Sequence, residues 1–181
     1  MVFGLWIIGI YEAGQRGMKK VNVQILALVL ILFMVACSKG DRPAEIDPIE
    51  MDRSISCAVC GMIPVDFPGA KAQIHYKTGE VDSFCCTMEM FTFYLQPDRP
   101  KNITAVFVND MGKADWNHPV GHWINAEEAH YVLGGDVMGP MGETLVPFSE
   151  LSDARSYVED HGGKVARFDD VEMGMLRPSI R

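Results

Sequence analysis

Residues 72–108 read AQIHYKTGEVDSFCCTMEMFTFYLQPDRPKNITAVFV, and the order of patterns in them decides the fold. Ala72-Gln73-Ile74-His75-Tyr76 alternates as a half-buried strand does. Lys77-Thr78-Gly79-Glu80 supplies a turn and Val81 to Cys85 a second strand, so the stretch opens as a hairpin. Ser83 is placed to cap a helix that starts near Phe84 or Cys85, runs through Met88, Phe91 and Leu95, and stops at Pro97. Ile103 to Val108 is β-branched and apolar and reads as a third strand. The stretch is therefore a β-β-α-β unit.

The order recurs downstream. Trp123 to Ala126 and Ala129 to Val132 are strand candidates, with Glu127 and Glu128 in a turn between them. Gly142 to Phe148 parallels Gly79 to Phe84 with one residue inserted. Ser149 or Ser152 caps a helix with Leu151, Ala154, Tyr157 and Val158 on one face, ending at Gly162-Gly163. Lys164 to Phe168 closes the unit. The expected fold is α+β, two ββαβ units over 57–115 and 116–170, packed on one another because roughly 50 residues are near the lower limit for an independent core. Asp169 to Arg181, containing Met173-Gly174-Met175, reads as a tail that is mobile at the chain end, with 171–181 outside both units.

The N-terminus is set aside from the fold. Lys19 and Lys20 precede a run from Val21 to Val35 that is apolar except for Asn22 and Gln24, and Ala36-Cys37 follows. A basic stretch, a short apolar stretch and a small residue before the cut make a signal peptide over residues 1–36; the run is short for a membrane span. Met34-Val35-Ala36-Cys37 resembles a bacterial lipobox, which makes Cys37 the lipidation site. Ser38 after it resembles lipoproteins sent to the outer membrane. Met18-Lys19-Lys20 reads as the true start of translation. Residues 37–56, polar and with Pro43 and Pro48, read as anchor and tether.

Removal of residues 1–36 leaves 13 of the 16 Lys and Arg and 23 of the 24 Asp and Glu, a net charge of −10. A chain this acidic argues against nucleic acid as a partner. No Gly-rich phosphate loop, G-x-S-x-G or H-E-x-x-H motif occurs, so enzymatic chemistry would have to rest on the cysteines, and none is expected.

Besides Cys37 the chain has Cys57 and Cys60 in C-A-V-C-G-M, and Cys85 and Cys86 in F-C-C-T-M-E-M. Each lies near a methionine in sequence, Met62, Met88 or Met90. Thiolate and thioether are soft donors that favour Cu(I). Zinc usually takes four N/S ligands, which Cys85-Cys86 would have to complete. Adjacent cysteines point in different directions: Cys86 shares a helical face with Met90, Cys85 with Met88 and Glu89, and spacing does not choose between them. Cys57-Cys60 also admits a redox pair, hence a periplasmic thiol–disulfide oxidoreductase, or a structural cross-link in a plain lipoprotein. Met138-Gly139-Pro140-Met141 offers a second thioether patch or a turn. His118 and His122 flank Pro119 and Gly121, which argue against a helix.

Taken in order, lipobox Cys37, C-A-V-C-G-M, D-F-P-G-A-K-A-Q-I from Asp66, F-C-C-T-M-E-M-F-T-F-Y-L-Q-P from Phe84, W-I-N-A-E-E-A-H-Y-V from Trp123, G-P-M-G from Gly139 and V-P-F from Val146 resemble the NosL family. The resemblance implies a lipid-anchored, periplasm-facing protein of a Gram-negative bacterium that binds Cu(I). It implies delivery toward the copper–sulfide cluster of nitrous-oxide reductase, with that enzyme and its membrane-linked maturation proteins as partners. It also implies two ββαβ units, related to organomercurial lyase. Cys57, Cys60, Met62, Cys85 and Met90 match the family's sulfur motifs. Cys86 stands where a small polar residue is expected, which leaves open whether it or Cys85 is the ligand from that motif.

Overall fold

The structure is a computed structural model that describes residues 46–176; the signal peptide, the Met18 start, Cys37 and the first part of the tether lie outside them. No described helix is long and apolar enough to cross a membrane.

Strands β1 (Ala72–Tyr76) and β2 (Val81–Phe84) form the expected hairpin, α1 (Thr87–Tyr94) follows, and β3 (Ile103–Asn109) returns antiparallel to β1. A further strand, β4 (Trp123–Asn125), adds to β3 and completes a four-stranded sheet ordered β2-β1-β3-β4. Next come β5 (His130–Leu133), the small hairpin β6 (Met138–Gly139) and β7 (Gly142–Glu143), and β8 (Val146–Phe148). Helix α2 (Leu151–His161) and β9 (Lys164–Arg167) close the chain's second sheet, ordered β8-β5-β9. The repeat holds down to register. Ala72 pairs with Phe84 and Val108, and His130 pairs with Phe148 and Arg167. The fold is α+β, with two ββαβ units in the same strand order.

Several local expectations are corrected. Trp123–Asn125 joins the first sheet, because β3 presents an open edge on which Phe107, Val108 and Asn109 pair with Asn125, Ile124 and Trp123. Helix α1 starts at Thr87, later than expected. The ladder with β1 holds the chain extended through Phe84, so Cys85 and Cys86 form a two-residue link. Cys86 is the N-cap, without a side-chain cap bond, while Ser83 is buried opposite Gln73. Similarly, Glu150 precedes α2, and neither Ser149 nor Ser152 caps it. Of the expected mobile tail, residues 169–176 are packed, within short 3-10 turns Phe168–Asp170 and Met173–Leu176 and with Val171 and Leu176 buried, while 177–181 lie outside the described residues.

The main core lies between the first sheet, α1 and the second sheet. Ile74, Phe84, Val106 and Val108 meet Met90 and Phe91, and Tyr131, Leu133 and Phe168 join them from the second unit. Ring centroids of Phe91 lie 5.0 Å from both Tyr131 and Phe168, which locks the units through aromatic packing. Strand β5 alternates: Tyr131 and Leu133 enter this core, and Val132 turns to a second cluster with Val146, Phe148 and Ala154 of α2. Strand β1 does not show the half-buried pattern expected of it, since all five residues are buried. The reason is the segment at Ile49, assigned by sequence to the tether. Its N–H donates to Gln73 Oε1 at 2.9 Å, and Gln73 Nε2 donates to its carbonyl at 3.0 Å. His75 Nε2 then donates to Gln73 Oε1 at 2.7 Å, and burial holds its pKa below the usual value.

Between the units, the buried Asp110 carboxylate accepts from Ser149 at its hydroxyl (2.6 Å) and its N–H (3.1 Å), from Gly112 N–H, and from Lys113 Nζ (3.0 Å). Burial alone would raise its pKa; these donors outweigh burial and lower it.

Candidate metal centre

The C-A-V-C-G-M stretch folds into a closed turn. Gly61 N–H donates to the Cys57 carbonyl at 2.9 Å, and Cys57 N–H to the Met62 carbonyl at 2.8 Å. Gly61 sits at φ +74, the left-handed region glycine enters without a steric penalty. Ala58 N–H donates to the Ser83 carbonyl at 2.8 Å, which fastens the turn to the free edge of β2. Cys85 follows directly from β2, so the strand that holds the turn also delivers the third thiol.

The Sγ atoms of Cys57, Cys60 and Cys85 all lie within 4.8 Å of one another, and Cys60 and Cys85 are 3.5 Å apart. An ion about 2.3 Å from each of three sulfurs in one plane would space them about 4 Å apart. The trio is therefore already at the scale of a three-thiolate site. Cys57 and Cys85 are buried and Cys60 is partly exposed, so access is from the Cys60 side. All four described cysteines are free thiols.

Of the sequence-derived candidates, Cys57, Cys60 and Cys85 are brought together. Cys86 is buried at the N-cap and lies outside the trio. Because Cys85 is not helical, its expected helical alignment with Met88 and Glu89 does not arise. Met90 is fully buried in the core that also contains Cys57, Cys85 and Cys86; Cys60, Met62 and Met88 are each half-buried against that core. Met138 and Met141 are exposed on the β6–β7 hairpin. His118 is exposed near Asp115, and His122 takes a positive φ of 51; neither belongs to the trio.

The thiols are electrostatically unequal. Hydrogen bonding from Cys85 holds Cys57 below the ordinary thiol range. Its bonds to Cys57 and Cys86 push Cys85 up, and burial raises Cys60. A thiolate is the species that binds soft metals.

Sequence reading passed over two residues beside the trio. Lys71 is only 1% exposed, and its Nζ donates to the carbonyls of Phe67 (2.8 Å), Pro68 (3.1 Å), Gly69 (2.8 Å) and Cys85 (3.2 Å). Burial lowers its pKa to about 8, against the upward pull of Cys85 and Cys86. Glu89 carries a buried Oε2 with no hydrogen-bond partner, and burial, then the charge of Cys57, raise its pKa. Glu89 had a sequence signal, the one charge in the helix Thr87–Tyr94, whereas Lys71, just ahead of β1, had none.

Comparison with known proteins gives the family of the chain. Residues 48–176 match the NosL family model. The chain is 37% identical over 155 residues to the copper-binding lipoprotein NosL of Stutzerimonas stutzeri, covering 84% of this chain and 81% of that protein. It is 30% identical over 162 residues to the protein of the same name from Achromobacter cycloclastes, covering 87% and 84%. The crystal structure of the copper chaperone NosL from Shewanella denitrificans superposes with a TM-score of 0.68 at 37% identity, covering 71% of this chain and 97% of that one. With the family model, two relatives and a solved structure in agreement, this chain belongs to the NosL family.

Proposed function

We propose that this chain is a lipid-anchored, periplasm-facing carrier that takes up Cu(I) on Cys57, Cys60 and Cys85 and delivers it for assembly of the copper site of nitrous-oxide reductase. The observation that carries the reading is the trio itself, three free thiols within 4.8 Å with one of them at the surface. Three sulfurs and no nitrogen or oxygen donor among the described residues of that cluster suit Cu(I), whereas a structural zinc site usually needs a fourth ligand. The relatives' names, copper-binding lipoprotein and copper chaperone, support the same cargo. Anchoring through Cys37 at the outer membrane, and the reductase with its maturation proteins as partners, extend the reading from the family resemblance.

Release follows from how the donors are held. Cys85 is rigid between a strand and a helix, while Cys57, Cys60 and Met62 ride on a turn of a few hydrogen bonds. Low-coordinate copper exchanges ligands by addition: a partner's donor joins before Cys60 leaves. The thiol–disulfide alternative calls for a C-x-x-C pair at a helix N-terminus. Here Cys57 and Cys60 occupy the turn before the 3-10 segment Pro64–Asp66. No helix N-terminus lies there, and the lowering of the Cys57 thiol comes first from its hydrogen bond with Cys85, a third thiol outside the C-x-x-C pair.

Anaerobic titration of the reduced soluble domain with Cu(I), followed by X-ray absorption, tests the cargo. The expected result is tight binding with two or three sulfur neighbours. Oxygen or nitrogen dominating the first shell, or no binding, rejects it.

A further inference from the structure

Lys71 is a buried cation with no anionic partner among the described residues. It is fully buried at the start of β1, and its four acceptors are all backbone carbonyls. No carboxylate is paired with it among the described residues. An ammonium out of water without a counter-anion is costly, and carbonyl dipoles compensate it only in part. The fold itself does not require a cation at this position. The repeat aligns Ala72 with His130, and so Lys71 with Ala129, which is buried to the same 1% in the second unit. The only unit with the lysine is the unit with the thiols.

The surroundings are built to hold that charge beside the sulfur. Gly69 has φ +83, and its N–H donates to the Trp116 carbonyl at 2.7 Å; a Cβ there would press on the indole at 3.3 Å. That turn points three successive carbonyls at Nζ, and the fourth belongs to Cys85. Lys71 N–H is fixed to Asn109 Oδ1 at 2.8 Å, and Asn109 N–H to the Lys71 carbonyl at 3.2 Å. The lysine is thus pinned at both ends, with its charge one residue's backbone away from a trio thiol.

We propose that Lys71 is a charge-balancing, positioning residue of the sulfur site, offsetting the negative charge that Cys57, Cys60 and Cys85 acquire on binding Cu(I). The inference rests on the Cu(I) reading above. Two thiolates on a monovalent ion carry a net −1, and three carry −2, inside a protein where one unit of charge is felt strongly over a few ångströms. The buried cation and the loaded site are then each other's counter-charge. Lys71 touches the Cys85 backbone and is not itself a ligand.

The test compares two ions on the same donors. A mercuric ion bound to a given set of thiolates leaves one negative charge fewer than Cu(I) bound to that set. Reduced wild type, Lys71→Met and Lys71→Gln are titrated anaerobically with Cu(I) and with Hg(II) against competing chelators, with circular dichroism as the check on folding. Lys71→Gln keeps two N–H donors for the carbonyls and loses the charge. Both neutral variants are expected to bind Cu(I) about 10- to 100-fold more weakly, with Hg(II) weakened much less, and Lys71→Arg to recover part of the Cu(I) affinity. Equal weakening for the two ions, or no weakening, overturns the proposal. So does failure of both neutral variants to fold even with Cu(I) present, which would make the lysine a structural brace. Failure of wild type to bind Cu(I) would instead reject the copper reading itself.

Discussion

The strand-to-helix link is the most instructive difference between the two ββαβ units. In the first unit Phe84 ends β2, Cys85 and Cys86 follow, and α1 begins at Thr87. In the second, Phe148 ends β8, Ser149 and Glu150 follow, and α2 begins at Leu151. Register makes Cys85 the counterpart of Ser149. One slot aims a thiol at the Cys57–Met62 turn; the other aims a hydroxyl at Asp110 across the seam between units. The helices differ in the same sense. Thr87, Met90 and Phe91 of α1 are buried in the shared core, whereas α2 buries only Ala154 completely. A repeated scaffold has been given a functional junction in one copy and a fastening junction in the other.

The largest expected effect separates the helices. Phe91→Ala removes a ring packed on Tyr131 and Phe168 and should cost about 3–5 kcal/mol in denaturant unfolding. Val158→Ala, on the partly exposed face of α2, should cost about 1 kcal/mol. Similar losses at both sites would mean the cores carry equal weight.

Next in size is the junction swap. Cys85→Ser places the hydroxyl of the second unit in the first and should weaken Cu(I) binding by more than the roughly 10- to 100-fold typical of residues behind a ligand. Ser149→Cys should gain nothing, since no other thiol joins it in a cluster among the described residues. Affinity retained in Cys85→Ser, measured against a chromophoric Cu(I) chelator, would break the comparison and turn attention to Cys86.

A smaller effect than that of Phe91→Ala or Cys85→Ser is expected at the seam. Ser149→Ala should destabilise the domain by about 1–2 kcal/mol, because Asp110 is left buried with fewer donors. The folded carboxyl titrates below its ordinary value of 3.8. Its contribution is therefore complete above that value and is lost as pH falls through the lower, folded one. Urea midpoints of wild type and Ser149→Ala, well separated at pH 7, should converge in acid. A gap that stays constant to pH 2 would show that Asp110 charge plays no part.

Much of this was legible in the sequence. Alternation in β1, the Lys77–Glu80 turn and the run from Ile103 gave the first unit, and order alone gave the second. Element ends were not legible, because pairing decides them: Phe84 stays in the ladder opposite Ala72, and that moves Cys85 off the helix. Of the candidate site, the C-A-V-C-G-M motif was legible as a group of sulfur donors. Selection of Cys85 over Cys86 for the trio needed the link geometry. Lys71 was hidden because its partners are carbonyls, which every residue carries, and Ile49 because a polar, proline-bearing stretch looks like a tether until Gln73 is seen beneath it.

The fastening of the Cys57–Met62 turn also has a consequence for time scales. Two hydrogen bonds close it and a third ties it to β2. Such a segment opens by local fluctuation, whereas Ile74, fully buried in the middle of β1 between β2 and β3, becomes exposed only in a much larger opening. Amide exchange at Cys57 and Gly61 should accordingly run far ahead of exchange at Ile74. On the proposed carrier reading, the residence time of a bound ion then depends on how readily one turn yields to an incoming donor, and variation in that turn can retune the lifetime of the cargo with little effect on the stability of the domain that holds it.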